Sequence, residues 1–267
     1  MSGPQPSTRL LAAIALLCIA LVGLLAALPS GATVVLAGDL RVSIQTRVSP
    51  VKLPRQGTAP ISFYAAAHVS SVAGRTPPQL RRIDIQVNRL ARLDFDGFPD
   101  CRISEVQPST DAGALRTCRP AAIGGGHFWL NVVLPEQGTY PTQGRVLLFN
   151  GLFHHRSVLL AHVFTRDPFA MSFVLVFRLR KIHDGPYGIE LSAGLPHALG
   201  NWGYVDRLKL SLQGSHRTNA GAKSFFEAGC PAPSGINVIS YHLAYATLSF
   251  AGHRGAAQLN KTCVVKE

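Results

Sequence analysis

The chain has 267 residues, 47% of them hydrophobic, with 26 Lys and Arg against 14 Asp and Glu for a formal charge of +12. So large an apolar share excludes a disordered or fibrous chain and supplies a sizeable core. The cations are scattered, and no RNP-type aromatic motif, zinc-finger spacing or helix-turn-helix pattern accompanies them, which excludes nucleic acid specificity.

Residues 1–9 are polar, with Arg9 their one charged side chain, and residues 10–28 form an unbroken apolar run, LLAAIALLCIALVGLLAAL. Pro29, Ser30 and Gly31 break it, and small residues acceptable to a signal peptidase follow. The pattern predicts a signal peptide over 1–32, cut after Ala32, with a cut after Ala37 as the alternative. An uncleaved anchor is the rival, because 19 apolar residues can span a hydrocarbon layer of ~30 Å. Cys18 follows Leu17 in mid-run, which is not the small-residue setting of a lipid attachment site. Losing Arg9 with the leader would lower the charge by one, to +11.

Beyond the leader, period-2 alternation dominates. Val42, Ile44 and Val48 alternate with Arg41, Ser43 and Arg47; Ile83, Ile85 and Val87 with Asp84, Gln86 and Asn88; Leu208, Leu210 and Leu212 with Lys209, Ser211 and Gln213. Each reads as a half-buried strand. In SFVLVFRLRK, one face carries Phe173, Leu175, Phe177 and Leu179. The other starts apolar with Val174 and Val176 and turns basic at Arg178 and Arg180, as in a strand that enters and leaves a covered interior. Further strands are expected over 60–70, 127–134, 145–150, 157–164, 187–193, 222–227, 240–250 and 256–264. Turn residues place hairpin loops at 183–188 and at Asn150-Gly151. One helix is expected over 111–118, with Ser109 or Thr110 as its cap, Asp111 in the first turn and Arg116 in the last. The fold class is therefore all-β, an antiparallel β-sandwich, jelly-roll-like or Ig-like, with one short helix near 110–118. It forms a single domain over 38–267, or two abutting sandwiches split near 140–145.

Four cysteines follow the leader, Cys101, Cys118, Cys230 and Cys263, and an even number in an exported chain reads as two disulfides. Sequence locality pairs Cys101 with Cys118 and Cys230 with Cys263. None of these spacings is the C-x2-4-C of a zinc site.

No constellation reaches the threshold for catalysis or metal binding. Asp94, Asp96 and Asp100 surround Gly97 as in a calcium loop, but the fifth position from Asp94 is Phe98, so a strand followed by an Asp-Gly turn fits better. His154, His155 and His162 are the densest histidine group, yet adjacent strand residues point to opposite faces, so solvated turn histidines are expected. Gly124-Gly125-Gly126-His127 is the reverse of an esterase oxyanion turn, and no G-x-S-x-G accompanies it. No carboxylate pair for glycoside hydrolysis stands out. Trp129 lies in an apolar strand and reads as core. Trp202, in the loop-like Asn201-Trp202-Gly203-Tyr204, is the better ligand contact, with Tyr204 beside it. Asn260-Lys261-Thr262 is a formal glycosylation sequon. No catalytic residue, metal ligand or cofactor is assigned.

An ordered set of landmarks spans nearly the whole mature chain: GDLRVSI at 38–44, PPQLRRIDIQVNR at 77–89, FDGFPDC at 95–101, CRPAAIGGG at 118–126, LLFNG at 147–151, NWGYV at 201–205, AGCPAP at 228–233 and a final Cys263. Together they resemble a family of uncharacterised secreted actinobacterial proteins. The resemblance implies export and a shared architecture and carries no activity. The expectation is a secreted or cell-envelope protein with a non-catalytic structural or binding role, its basic surface directed to an anionic cell-wall polymer or a membrane surface. Arg-rich coding bias is the bland explanation of the charge. An extracellular hydrolase with a site assembled from distant residues, and a membrane-anchored ectodomain, are the alternatives.

Overall fold

The computed structural model describes residues 32–133, 136, 138–167, 170–195, 203–218 and 221–266. From Ala32 onward the described residues form one compact unit. Strands β1 Ala32–Ala37, β2 Leu40–Ser49, β3 Lys52–Leu53, β4 Ala59–Pro60, β5 Ser62–Ser71, β6 Leu80–Asn88, β7 Ala91–Leu93 and β8 Cys101–Arg102 precede two helices, α1 Ile103–Val106 and α2 Asp111–Cys118. After a 3-10 turn come β9 Ala122–Val133, β10 Thr139–Phe153, β11 Arg156–Thr165, β12 Met171–Lys181, β13 Tyr187–Gly194, β14 Gly203–Leu212, β15 Ser215–Thr218, β16 Gly221–Ser224, β17 Phe226–Ala228, β18 Val238–Phe250 and β19 His253–Val265. The class is all-β and mainly antiparallel, as the alternation predicts; β8 beside β10 and β3 beside β19 are the parallel pairings among the described residues.

One long sheet carries most of the chain, in the order β1-β2-β5-β14-β9-β10-β11-β12-β13-β6-β18-β19-β3. It curls until its ends meet. Ala37, Leu40, Val42, Ile44 and Val69 from one end pack with Ala244, Ala257 and Leu259 from the other. Thr33 Oγ1 donates to the Gln258 carbonyl at 3.2 Å across that seam. The layers of the sandwich are thus halves of a single curled sheet. A larger cluster fills the remaining interior, with Phe128, Leu148, Leu159, Phe177, Leu191 and Phe225 among its members.

Among the described residues, a helical insert covers part of the outer face. Leu147 and Phe149 of β10, Val158 and Leu160 of β11, and Val174 and Val176 of β12 pack outward under Val106, Ala114 and Ala121 of the helical insert. β11 is buried on both faces, which explains its near-continuous apolar run. Arg178 then leaves the covered patch and is exposed. Thr110 caps α2, its Oγ1 accepting from the Gly113 amide at 3.2 Å. The Cys101–Cys118 disulfide staples both ends of the insert, and Cys230–Cys263 ties the last strand to the loop after β17; Cα atoms are 5.7 Å apart in each. On the loop-entropy account the two closures contribute about 3 and about 4 kcal/mol.

Two local expectations are corrected. Asn150-Gly151 is not a hairpin turn. Both residues lie inside β10, where fully buried Asn150 donates from Nδ2 to the carbonyls of Phe95 at 2.9 Å and Phe98 at 3.2 Å, and so anchors the 94–100 loop. The β10–β11 turn falls instead at His154 and His155, whose positive φ values of 48° and 59° suit a tight two-residue hairpin connection. Trp129 is not core. Its neighbours Phe128 and Leu130 point inward, so the pleat turns Trp129 outward, where it is half-buried.

Candidate functional site

Strand register assembles a basic and aromatic surface next to the covered patch. Residues directly paired across antiparallel strands share a face. Lys209 of β14 pairs with His127 of β9, and His127 with Arg145 of β10. One step along, Arg207 pairs with Trp129, and Trp129 with Gln143. Arg145, Arg207, Lys209 and His127 are exposed. The Arg207 guanidinium lies 5.4 Å and the Lys209 ammonium 5.5 Å from the centroid of the Trp129 ring, and the His127 ring is 6.2 Å from it. Two cations over one indole is an attractive arrangement that holds both side chains in place. Further along the face Arg47 lies 6.0 Å from the Tyr64 ring centroid.

Glycine makes the close strand approach here possible. A Cβ on Gly126 would stand 1.8 Å from the Lys209 carbonyl oxygen, and one on Gly124 would stand 2.1 Å from that of Ser211. The triple glycine therefore lets β14 and β10 close on β9. It is not an oxyanion turn, and the pairing of β9 with β10 shifts register beside it, between Leu148 and Phe149.

Beside this face, under the N-terminal end of α2, lies a polar cluster that sequence reasoning missed. His162 of β11 is fully buried, and its Nε2 sits 3.0 Å from the Ser109 carbonyl oxygen and 3.2 Å from Ser172 Oγ. Its Nδ1 is 3.8 Å from Asp111 Oδ1. The Ser109 amide donates to Ser172 Oγ at 3.5 Å. Burial pushes the Asp111 carboxyl up, against the pull of Arg145, His162, Arg166 and His127. Burial also pushes the His162 imidazole down, against the Ser109 carbonyl and Asp111.

The other predicted positions fall elsewhere. Asp94 Oδ1 accepts from the Gly97 amide at 3.2 Å as a turn residue, and Asp100 Oδ1 accepts from Asn150 at 3.0 Å. Exposed His154 and His155 occupy the hairpin turn, away from buried His162. Tyr204 opens β14 opposite Asn131, half-buried, its hydroxyl pushed up by burial and by Asp206. Trp202 lies outside the described residues. Among the described residues, the His, Cys, Asp and Glu side chains that converge closely enough for a metal are Cys101, Glu105 and Cys118, and the two sulfurs are already bonded to each other.

A groove of about 340 Å³ on the opposite side is lined by Arg82, Asp84, Gln86, Glu190, Thr247 and Arg254. Arg82 pairs with Asp84 at 2.9 Å and Arg180 with Glu190 at 2.9 Å, so its charges are largely internally neutralised. A second missed residue is Lys261, 4% exposed on the inner side of β19, whose Nζ donates to the Pro50 carbonyl at 3.4 Å. Burial pushes it down to about 8. Comparison of the chain with protein-family models, with curated proteins and with solved structures finds no match.

Proposed function

We propose that this is an exported cell-envelope protein that binds an anionic cell-wall polymer through the open face of β14, β9 and β10. The observation that carries the reading is Trp129 with Arg207 and Lys209 over its ring, in register with His127 and Arg145. A row of basic side chains along the open outer face of a curled sheet suits a repeating polyanion better than a compact small molecule, which needs a concave pocket. Two disulfides are compatible with an oxidising, extracellular compartment. The apolar leader and the likeness to secreted actinobacterial proteins belong to the same reading. A cut after Ala32 fits it better than one after Ala37, because β1 pairs along β2 from Ala32 to Ala37 and helps close the seam. N-terminal sequencing of the exported protein decides between these cuts and a retained anchor.

The binding test is a pull-down on a poly(glycerol phosphate) resin at low salt. Wild type should be retained and eluted by salt, and Arg207→Ala/Lys209→Ala should bind at least about tenfold more weakly. No retention of wild type at low salt defeats the reading. Retention on anionic lipid vesicles but not on the polymer would move the partner to the membrane surface.

A serine hydrolase is the second reading, favoured by the convergence of Ser172, His162 and Asp111 from distant segments. Two facts weigh against it. His162 is sealed from solvent, and its Nε2, the atom that would take the serine proton, faces the Ser109 carbonyl.

A further inference from the structure

The Asp111–His162 contact poses a problem of proton counting. A carbonyl oxygen only accepts, so an imidazole nitrogen 3.0 Å from the Ser109 carbonyl carries hydrogen. Nε2 is thus the protonated nitrogen of His162. A neutral ring would then leave Nδ1 bare, facing Asp111 Oδ1 at 3.8 Å. Both atoms are buried, and neither has a hydrogen-bond partner. Were Asp111 ionised as well, two lone pairs would face each other out of water, an arrangement that costs the full desolvation of both groups. One proton between them removes the conflict, carried either by the carboxyl or by Nδ1.

Three basic side chains face this pair. Arg145 comes from β10, His127 from β9 and Arg166 from the end of β11, and each acts on Asp111 electrostatically. Ser172 of β12 and Ser109 before α2 complete the surround with uncharged contacts. Asp111 therefore opposes cations that border the basic face itself.

We propose that Asp111 and His162 hold one proton as a dyad whose facing atoms are buried, and that this proton sets the strength of the basic face. When the dyad takes it up, Asp111 no longer offsets Arg145, Arg166 and His127, and a polyanion binds more tightly. The proposal rests on the polymer-binding reading and assigns its regulation: binding strengthens as the surroundings acidify. Removing one opposing charge at the edge of such a surface corresponds to about a fivefold change in affinity.

The test is nitrogen NMR of ¹⁵N-histidine-labelled protein from pH 4 to 8, for wild type and Asp111→Asn, with poly(glycerol phosphate) affinity measured on the same samples. His162 should keep hydrogen on Nε2 throughout. Its Nδ1 signal should move in a step that Asp111→Asn displaces or abolishes. At pH 8 the variant should already bind about fivefold more tightly than wild type, and it should gain less on acidification. Hydrogen on Nδ1 with a bare Nε2 directed at Ser172 would overturn the dyad and favour the hydrolase. Parallel pH dependences of wild type and variant would overturn the tuning. If neither protein binds the polymer at any pH, the tuning and the binding reading fall together, while the Nδ1 step still decides the dyad.

Discussion

The outer face of the sheet is used in two ways within a few strands. Over β10, β11 and β12 its outward residues are Leu147, Phe149, Val158, Leu160, Val174 and Val176, and a stapled helical insert covers them. Over β14, β9 and β10, the outward residues are Arg207, Lys209, His127, Trp129 and Arg145, and the face is open. The backbone is alike in both regions, and what differs is the chemistry of every second residue. Apolar outward residues demand a lid, while charged ones holding an aromatic ring can stay wet and be used. Asp111 and His162 sit at the border, where the lid meets the open face.

The covered region should answer to mutation through stability and the open region through binding. The largest effect is expected from Phe149→Ala, which empties a fully buried site under the insert and should cost about 3–5 kcal/mol in a denaturant melt. A cost below about 1 kcal/mol would mean that the lid is loosely packed. Cys101→Ser/Cys118→Ser should cost about 3 kcal/mol, with amide exchange in α2 accelerating far more than in β18 or β19. Uniform acceleration would show that the insert is no separate lid.

Lys261 offers a control on the inner face. Its folded value of about 8 lies below the ordinary 10.5, so the unfolded chain binds one more proton than the folded one between those values. Stability should therefore rise with pH from about 8 towards 10.5. Tyr241, pushed up to about 12 by burial, works the other way from about pH 10, so the window from pH 8 to 10 belongs to Lys261. Lys261→Met should flatten that rise and add roughly 1–3 kcal/mol at pH 7. An unchanged pH profile would mean that the ammonium reaches water. The smallest stability effect belongs to the open face: Arg207→Ala/Lys209→Ala should shift stability by no more than about 0.5 kcal/mol while polymer binding falls.

Much of the frame is legible in local sequence. Pairing by proximity holds for both disulfides, and the apolar-to-basic switch in SFVLVFRLRK marks where β12 emerges from under the lid. Lys261 was also legible, because it shares the parity of Leu259 and Cys263 on β19 and must point inward with them. Trp129 misleads because its neighbours are apolar, yet those neighbours hold the inward positions. Asn150-Gly151 carries a strong hairpin signal that tertiary burial of Asn150 overrides. The Asp111–His162–Ser172 cluster had no local signal. It depends on the register of β11 against β12, which puts His162 beside Val174 and Phe164 beside Ser172, and on how the insert docks.

The most direct test of the open face is the salt dependence of poly(glycerol phosphate) binding, compared between wild type and Arg207→Ala/Lys209→Ala. Each lost phosphate contact lowers the slope of log Kd against log salt by about 0.7 to 0.9. Wild type should show a clear slope, and the double variant one shallower by about 1.5, with its fold intact. Equal slopes, or binding indifferent to salt, would contradict the assignment of this face as the binding surface.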